Sequence, residues 1–142
     1  MSDDIITHLD GGVCNITFNR PDVRNAMSRN MALALGEQVS EAIADDAIRV
    51  LVLRGAGGHF CAGGDIKDMA RARSIGAEDD GSDPIVSLSV TFGEMVEAFA
   101  RCPKPVVAVL EGAVMGGGFG ISCVADVVLA HENATFRLSE TS

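Results

Sequence analysis

Two uninterrupted apolar runs, each followed at once by a glycine-rich stretch, constrain the fold of this chain more than any other feature. The first run, residues 49–54, reads Arg-Val-Leu-Val-Leu-Arg and precedes a glycine-rich stretch at 55–64. The second, residues 105–110, precedes a stretch with three consecutive glycines at 116–118. Such runs are typical of strands covered on both faces in a parallel sheet. Because sharp turns after such strands hold ligands, the pattern predicts an α/β protein with a site at the strand ends.

The segments around these runs alternate between strand and helix patterns. Ser28 is placed to cap a helix in which apolar residues recur at helical spacing up to residue 43. Apolar residues recur in the same way between Ile85 and Phe99, and we assign that stripe to the core rather than to a ligand-binding row. The other predictions are a β-hairpin made of 5–9 and 13–18, a third buried strand at 126–130 and the start of a fourth strand at 135–136.

A charged segment at 71–84 lies between the two glycine-rich stretches. Its centre reads Glu-Asp-Asp-Gly-Ser-Asp at 78–83, and it carries too little apolar surface to build a core. We interpret 71–84 as a mobile acidic loop within one domain that spans 1–142. A lid over a site is the alternative interpretation of the same segment.

Charge, hydropathy and cysteine spacing argue against several classes of function. A net charge of −9 on 142 residues argues against a nucleic-acid partner, since proteins that bind phosphate backbones usually carry a basic face. No apolar run approaches the roughly 20 residues of a membrane span, and the N-terminus lacks the basic and apolar order of a signal peptide. We therefore expect a cytoplasmic protein without a membrane partner. Its four cysteines are widely spaced, which predicts reduced thiols and no metal site.

The glycine-rich stretches match none of the nucleotide-binding templates. A dinucleotide fingerprint beginning at Gly116 would need glycine at Ile121, and one beginning at Gly118 would need it at position 123. A glycine loop at the start of a helix can instead hold an anion or a developing oxyanion with its unpaired N–H groups. Two such donors converging from separate loops would form an oxyanion hole. The alternative is a pair of tight connections whose glycines serve only packing.

Five blocks, in order along the chain, carry a more specific signal. The strongest are Phe-Cys-Ala-Gly-Gly-Asp-Ile-Lys-Asp-Met at 60–69 and Lys-Pro-Val-Val-Ala-Val-Leu-Glu-Gly at 104–112, which the triple glycine follows. The others are Asn-Arg-Pro and Asn-Ala-Met within 19–27, Cys-Val-Ala-Asp at 123–126 and Phe-Arg-Leu-Ser-Glu at 136–140. Together they resemble the crotonase family, also called the enoyl-CoA hydratase/isomerase family. The resemblance implies a spiral of ββα units, truncated before the C-terminal helical region because the chain corresponds to about the first half of a usual member.

The same resemblance implies a ligand and the groups that hold it. In this family the carbonyl oxygen of an acyl-CoA thioester lies between two backbone N–H groups, which by motif position belong to Gly64 and Gly117 here. No separate cofactor is implied, because coenzyme A is part of the substrate. The full-length protein would act in fatty acid metabolism as a homo-oligomer, a trimer or a dimer of trimers. The residues implied in binding coenzyme A are Arg24, Ala26, Ala62, Asp65, Ile66 and Lys67, with Arg24 and Lys67 as partners for its phosphates.

The acid/base residues differ from those of many family members. Family hydratases usually carry two glutamates, and this chain has Gly120 at the first position and Glu140 at the second. A single carboxylate can take a proton from the carbon next to a thioester and return it elsewhere. The resemblance implies hydration of a 2-enoyl-CoA with Glu140 as acid/base, and Leu-Ser-Glu-Thr at 138–141 suggests a branched, methylglutaconyl-like substrate. Two alternatives stay open: a double-bond isomerase or another single-acid reaction, and an acyl-CoA-binding fragment without catalysis.

Overall fold

A five-stranded sheet forms the frame of the protein in a computed structural model, which describes residues 3–76 and 80–138. The strands of these residues are β1 (Ile5–Asp10), β2 (Val13–Phe18), β3 (Val50–Gly55), β4 (Val106–Leu110), β5 (Ala113–Met115), β6 (Val127–Ala130) and β7 (Thr135–Arg137). The large sheet has the order β1-β2-β3-β4-β6, and β5 pairs with β7 in a second sheet. β1 and β2 form the predicted antiparallel hairpin, whereas the other pairs are parallel.

Helices connect the strands, and three of the four described helices begin at side-chain caps. The described residues form α1 (Arg29–Ala44), α2 (Ile66–Ile75), α3 (Pro84–Arg101) and α4 (Gly117–Val124). The Ser28 hydroxyl accepts a hydrogen bond from the Met31 N–H at 3.0 Å, so α1 begins where the sequence predicts. The carboxylates of Asp65 and Asp83 cap α2 and α3 in a similar way. Parallel strands alternating with helices confirm the predicted α/β class.

From β4 onward, consecutive strands alternate between the two sheets, which is the arrangement of a ββα repeat. β4 lies in the large sheet, β5 lies in the small sheet, and α4 follows them in the chain. The next two strands repeat this pattern, since β6 pairs in parallel with β4 and β7 pairs in parallel with β5. The preceding repeat starts with β3, after which Cys61 makes an isolated parallel bridge to Val114, and α2 follows. This winding confirms the predicted spiral of ββα units.

The core lies between the large sheet and helices α1 and α3. Alternate residues of β2, β3 and β4 are fully buried, and those between them are mostly half-buried, as expected for strands with material on both faces. The rings of Phe18 and Phe60 pack with their centroids 5.0 Å apart, which joins β2 to the segment that follows β3. The largest fully buried side chains are Phe18, Phe60, Phe99, Ile16, Met27, Met31, Leu35, Leu51, Leu53, Met95, Leu110 and Ile121.

The charged segment at 71–84 is helical at its start. Helix α2 continues to Ile75, and α3 begins at Pro84, so the connection between them is shorter than predicted. Arg and Ala are good helix formers, and the Asp65 cap lets the helix run on through residues whose charge predicts the beginning of a loop. Residues 77–79, which include part of the predicted acidic centre, lie outside the described residues.

The predicted third buried strand at 126–130 forms a strand but is not buried. Val127, Val128 and Leu129 of β6 are between 44% and 58% exposed. β6 pairs with β4 on one side, and among the described strands none pairs with its other side. The expectation of burial was wrong because an apolar run does not reveal how many neighbours its strand will have.

The loop that follows β2 is held in place by one buried asparagine. Asn25 is fully buried and has a left-handed backbone with φ of 58°. Its side-chain oxygen accepts from the Arg20 N–H at 2.8 Å, and its amide donates to the carbonyls of Ala56 at 2.9 Å and His59 at 2.7 Å. The loop after β2 is thereby fixed against the loop after β3.

We predict that Asn25→Ala lowers the free energy of unfolding by about 2–3 kcal/mol, because it leaves two partly buried carbonyls and one partly buried N–H without their partner. Urea unfolding followed by circular dichroism measures the loss. The matched control is Asn30→Ala on the exposed surface of α1, with an expected change within about 0.5 kcal/mol. Asn25→Gly relieves the left-handed backbone but restores no hydrogen bond, so full stability in that variant would contradict the explanation.

Candidate functional site

The segment that contains Gly64 forms backbone hydrogen bonds with two different parts of the chain, one on each side. On one side, the Met27 N–H donates to the Gly63 carbonyl at 2.7 Å, and the Asp65 N–H donates to the Met27 carbonyl at 2.9 Å. On the other, Cys61 exchanges two backbone hydrogen bonds with β5. Gly64 forms an isolated parallel bridge with Met27 in which its two neighbours carry the hydrogen bonds, so the N–H of Gly64 itself points away from Met27. The Gly64 N–H is therefore directed away from the side of the segment that is bonded to Met27.

Gly117 presents a second N–H of the same kind at the start of α4. The first N–H groups of an α-helix have no acceptor within the helix, and the residue before this helix, Gly116, has no side chain to cap them. The Gly116 N–H itself donates to the Arg137 carbonyl at 3.0 Å, which anchors the turn to β7. The aligned peptide dipoles of α4 add partial positive charge at this end.

The three consecutive glycines have different physical roles. Gly116 has a φ of 52°, a backbone angle that residues with a side chain rarely adopt. A Cβ atom at Gly118 would lie 2.6 Å from the Cβ of Cys61, so only glycine lets α4 approach the bonded segment this closely. A Cβ atom at Gly117 would meet no atom within 4 Å. Packing therefore accounts for Gly118 but not for Gly117.

Gly64 and Gly117 line one cavity of about 340 Å³. The two residues come from separate loops, as the sequence predicts. The cavity walls are otherwise supplied by α2 and α3, and their side chains are mainly apolar. The lining residues are Gly64, Met69, Arg73, Ile85, Leu88, Ser89, Phe92 and Gly117.

The apolar stripe of α3 is divided between the core and this cavity. Met95 and Phe99 are 2% exposed and belong to the core, as predicted. Ile85 and Phe92 line the cavity. Phe92 also packs against the core, whereas Ile85 is 41% exposed, so the assignment of the stripe to the core was wrong at its N-terminal residue. Helical spacing shows that residues share a face, but not which part of that face lies over an opening.

The backbone groups predicted to contact coenzyme A are partly engaged within the protein. The Ala62 N–H donates to the Arg24 carbonyl at 3.0 Å, and the Asp65 N–H is bonded to Met27. The Ala26 carbonyl accepts from the guanidinium of Arg20. Contacts of these three residues with a ligand would therefore use other atoms than these.

The remaining predicted coenzyme A residues are exposed. Ile66 is 81% exposed at the first turn of α2, and the side chains of Arg24 and Lys67 also lie on the surface. Within residues 3–76 and 80–138, neither Arg24 nor Lys67 forms an ion pair. Both cations are accordingly open to an anionic group of a ligand.

Arg20 organises the loops around the site, and sequence reasoning missed it. Its guanidinium donates to the Ala26 carbonyl and, at 2.8 Å, to the carboxylate of Asp65. The other oxygen of Asp65 accepts from the Lys67 N–H at 2.8 Å and so caps α2. Burial of Asp65 disfavours its charge, but the hydrogen bonds from Arg20 and from the start of α2 outweigh this and lower the pKa of Asp65 below its usual value. The one signal in the sequence was an arginine within the Asn-Arg-Pro block.

His59 joins the two glycine-rich loops, although it was assigned no role from the sequence. Its ring Nδ1 accepts a hydrogen bond from the Ala113 N–H at 3.0 Å. This contact requires an unprotonated Nδ1 and ties the start of β5 to the loop after β3. A glycine at position 112 is needed beside it, because a Cβ atom there would lie 2.4 Å from the same ring nitrogen and also from the carbonyl of Gly58.

Cys61 lies against the start of α4 but does not offer a nucleophile. It is fully buried, and burial raises the pKa of its thiol to about 11. The thiol is therefore protonated at neutral pH, and its sulfur packs against Gly118.

The structure describes one of the two positions considered for acid/base residues. Glu140 lies outside the described residues. Gly120 is in the second turn of α4, and a Cβ atom placed there would meet nothing within 4 Å. Space for a side chain thus exists at Gly120.

In residues 3–76 and 80–138, no group of three or more His, Cys, Asp or Glu side chains is arranged to hold a metal ion. The helices of the same residues include none that is both long enough and apolar enough to span a membrane.

Comparison with protein-family models gives a match over most of the chain. The model described as "Enoyl-CoA hydratase/isomerase" matches residues 13–142. The solved structure of an enoyl-CoA hydratase/isomerase from Marinobacter aquaeolei superposes with a TM-score of 0.90 and is 51% identical in sequence. That comparison covers 95% of this chain and 51% of the other.

Curated relatives show similarity over nearly the whole chain. The 1,2-epoxyphenylacetyl-CoA isomerase of Escherichia coli is 33% identical over 98% of this chain. The mitochondrial 3-hydroxyisobutyryl-CoA hydrolase of Rattus norvegicus is 36% identical over 89% of it. The chain spans 52% of the length of the first relative and 32% of the second.

The Arg20–Asp65 pair predicts a pH-dependent contribution to stability. Because the pKa of Asp65 is lower in the folded chain, the stabilisation is present above the unfolded value of about 3.9 and is lost as the pH falls through the folded value. Asp65→Asn keeps a helix cap but removes the charge, so we expect it to lower the free energy of unfolding by about 1–2 kcal/mol at pH 7. The deficit should shrink as the pH falls below the unfolded value of about 3.9.

Urea unfolding of the wild type and Asp65→Asn at a series of pH values measures this deficit. Asp46→Asn, at an exposed carboxylate, is the control and should show no such trend. A deficit that stays constant over the whole series would mean that the charge of Asp65 does not contribute to stability.

Proposed function

The chain belongs to the enoyl-CoA hydratase/isomerase family, and we propose that its cavity binds an acyl-CoA thioester whose carbonyl oxygen lies between the N–H groups of Gly64 and Gly117. One observation carries this proposal: the two glycines come from separate loops, have outward-directed or unpaired N–H groups, and line the same cavity. An acyl chain would extend from there between α2 and α3.

The proposed donors stabilise the charge that develops during reaction. When a proton leaves or joins the carbon next to a thioester, the intermediate resembles an enolate and its negative charge is on the carbonyl oxygen. A preorganised N–H donor at that oxygen lowers a barrier by about 3 kcal/mol. The positive end of α4 acts on the same atom through Gly117. Hydrogen bonds on both sides of the segment around Gly64 keep its donor in place before the substrate arrives.

Exposed cations account for binding of a polyanion by an acidic chain. Arg24 and Lys67 lie on the surface near Ala26 and Asp65, and neither has an ion pair within 3–76 or 80–138. We assign both to the phosphates of coenzyme A. Arg24 is the stronger candidate, because its backbone is fixed next to the buried Asn25.

Hydration of a 2-enoyl-CoA is the reaction that we propose. The oxygen of a water molecule forms a bond to C3 while Glu140 takes a proton from that water. The electron pair of the double bond moves towards the thioester oxygen, where Gly64 and Gly117 hold the charge. Glu140 then returns the proton to C2, so that the product is a 3-hydroxyacyl-CoA.

A double-bond isomerase is the second candidate, and Gly120 favours it. With no carboxylate at that position, Glu140 would have to orient water without a second acid. Isomerisation needs only one acid/base: Glu140 removes a proton from C2 of a 3-enoyl-CoA and returns it to C4. An acyl-CoA-binding chain without turnover is the third candidate.

We predict that Gly117→Pro lowers kcat/KM by about 10²–10³-fold, because proline removes the N–H and keeps the helix start. Gly117→Ala is the matched control: it keeps the N–H, and its Cβ atom meets no atom within 4 Å. Initial rates with crotonyl-CoA measure the effect, and circular dichroism checks that both variants fold. Equal activity of the proline and alanine variants would contradict the assignment of the Gly117 N–H as a donor to the thioester oxygen.

A second prediction concerns Glu140. Glu140→Gln should abolish turnover, with a loss of at least about 100-fold, and leave the affinity for a saturated acyl-CoA unchanged. Loss of enoyl-thioester absorbance in water measures hydration, and gain of the same absorbance from a 3-enoyl-CoA measures isomerisation. Calorimetry with butyryl-CoA measures binding.

These assays separate the three candidates. Turnover in one assay that disappears in Glu140→Gln identifies the reaction. Binding of butyryl-CoA with no turnover by the wild type supports the non-catalytic candidate, and no binding at all contradicts the proposed function.

A further inference from the structure

One charged side chain, Arg73, lines an otherwise uncharged cavity. The described lining residues include no aspartate, glutamate, lysine or histidine, and Ser89 is the other polar side chain among them. Charged groups are costly beside apolar surface unless they are solvated or paired. Arg73 is exposed, so water solvates it while the cavity is unoccupied.

The position of Arg73 follows from the geometry of α2. Met69 and Arg73 are four residues apart and therefore lie on one face of the helix, about 6 Å apart along its axis. The sulfur of Met69 lies 3.5 Å from where a Cβ atom of Gly64 would be. Met69 thus adjoins the proposed carbonyl site, and Arg73 lies about one helical turn farther along the cavity wall.

The facing wall is compatible with an acyl chain that ends in a polar group. Ile85, Leu88 and Phe92 on α3 provide an apolar path, and Ser89 adds one hydroxyl to the same wall. In residues 3–76 and 80–138, Arg73 forms no ion pair with a carboxylate. Its guanidinium is therefore available for a carboxylate brought by a ligand, and the planar fork of an arginine matches a carboxylate in two-point contact.

We propose that Arg73 is a specificity-determining residue that binds a carboxylate at the far end of the acyl chain, so that the preferred substrates are acyl-CoA thioesters of dicarboxylic acids. This inference rests on the proposed function, because it needs the thioester at Gly64 and Gly117. It predicts that an acyl chain a few carbons long binds more tightly with a terminal carboxylate than with a terminal methyl group.

A simpler account of Arg73 is a contribution to helix stability. It is a basic residue in the last turn of α2, where positive charge is favourable. Arg71 provides the control, since it is an exposed arginine on the same helix that lines a different cavity. A role in helix stability alone predicts no difference between ligands for either arginine.

The test compares glutaryl-CoA with pentanoyl-CoA, which have the same number of acyl carbons and differ in the terminal carboxylate. Neither is an enoyl thioester, so calorimetry measures binding without turnover. We expect the wild type to bind glutaryl-CoA about tenfold more tightly, and the preference to narrow as salt is raised. Arg73→Met should remove the preference and leave the affinity for pentanoyl-CoA within about twofold. Arg73→Lys should keep part of the preference, and Arg71→Met should keep all of it.

The possible outcomes distinguish this inference from the proposed function. Equal binding of both thioesters by the wild type, or an unchanged preference in Arg73→Met, overturns the role of Arg73 and leaves the proposed function standing. Failure of both thioesters to bind overturns the proposed function and this inference with it. Loss of the preference in Arg73→Met alone supports the assignment.

Discussion

Backbone hydrogen bonds on both sides of residues 61–65 are the constraint on which the rest of the candidate site depends. Cys61 bonds to β5 on one side, and Gly63 and Asp65 bond to Met27 on the other. This arrangement sets the direction of the Gly64 N–H, and the close contact of Cys61 with Gly118 sets where α4 begins. Two N–H groups that are distant in sequence therefore line one cavity.

Side chains support this arrangement from outside the cavity. Arg20 links the carbonyl of Ala26 to the carboxylate of Asp65, and Asn25 links the loops that follow β2 and β3. Both residues form hydrogen bonds to backbone groups in loops, which strand pairing does not hold in place. The cavity walls come from other elements, the helices α2 and α3, so the frame of the proposed chemistry and the surface that would meet an acyl chain are built separately.

Much of the fold follows from local patterns in the sequence, but the contacts that complete the site do not. Apolar periodicity and caps located the hairpin, α1 and the two strands before the glycine-rich loops, because these depend on neighbouring residues. The Arg20–Asp65 pair escaped prediction because it joins two loops that meet only in the folded chain. Burial of β6 was wrongly expected, since a strand pattern carries no information about its neighbours. The roles of Gly64, Gly117 and Glu140 stay predictions.

The unequal roles of the three consecutive glycines affect how this segment can change during evolution. Cys61 excludes any side chain at Gly118, and the backbone conformation disfavours one at Gly116, whereas Gly117 and Gly120 face open space. A Cβ atom would clash with nothing at these last two positions, so packing does not keep them as glycine. Gly117 lines the cavity, so its retention among descendants of this sequence would reflect what occupies the cavity. The pattern of neutral drift at Gly117 would therefore report on function independently of fold.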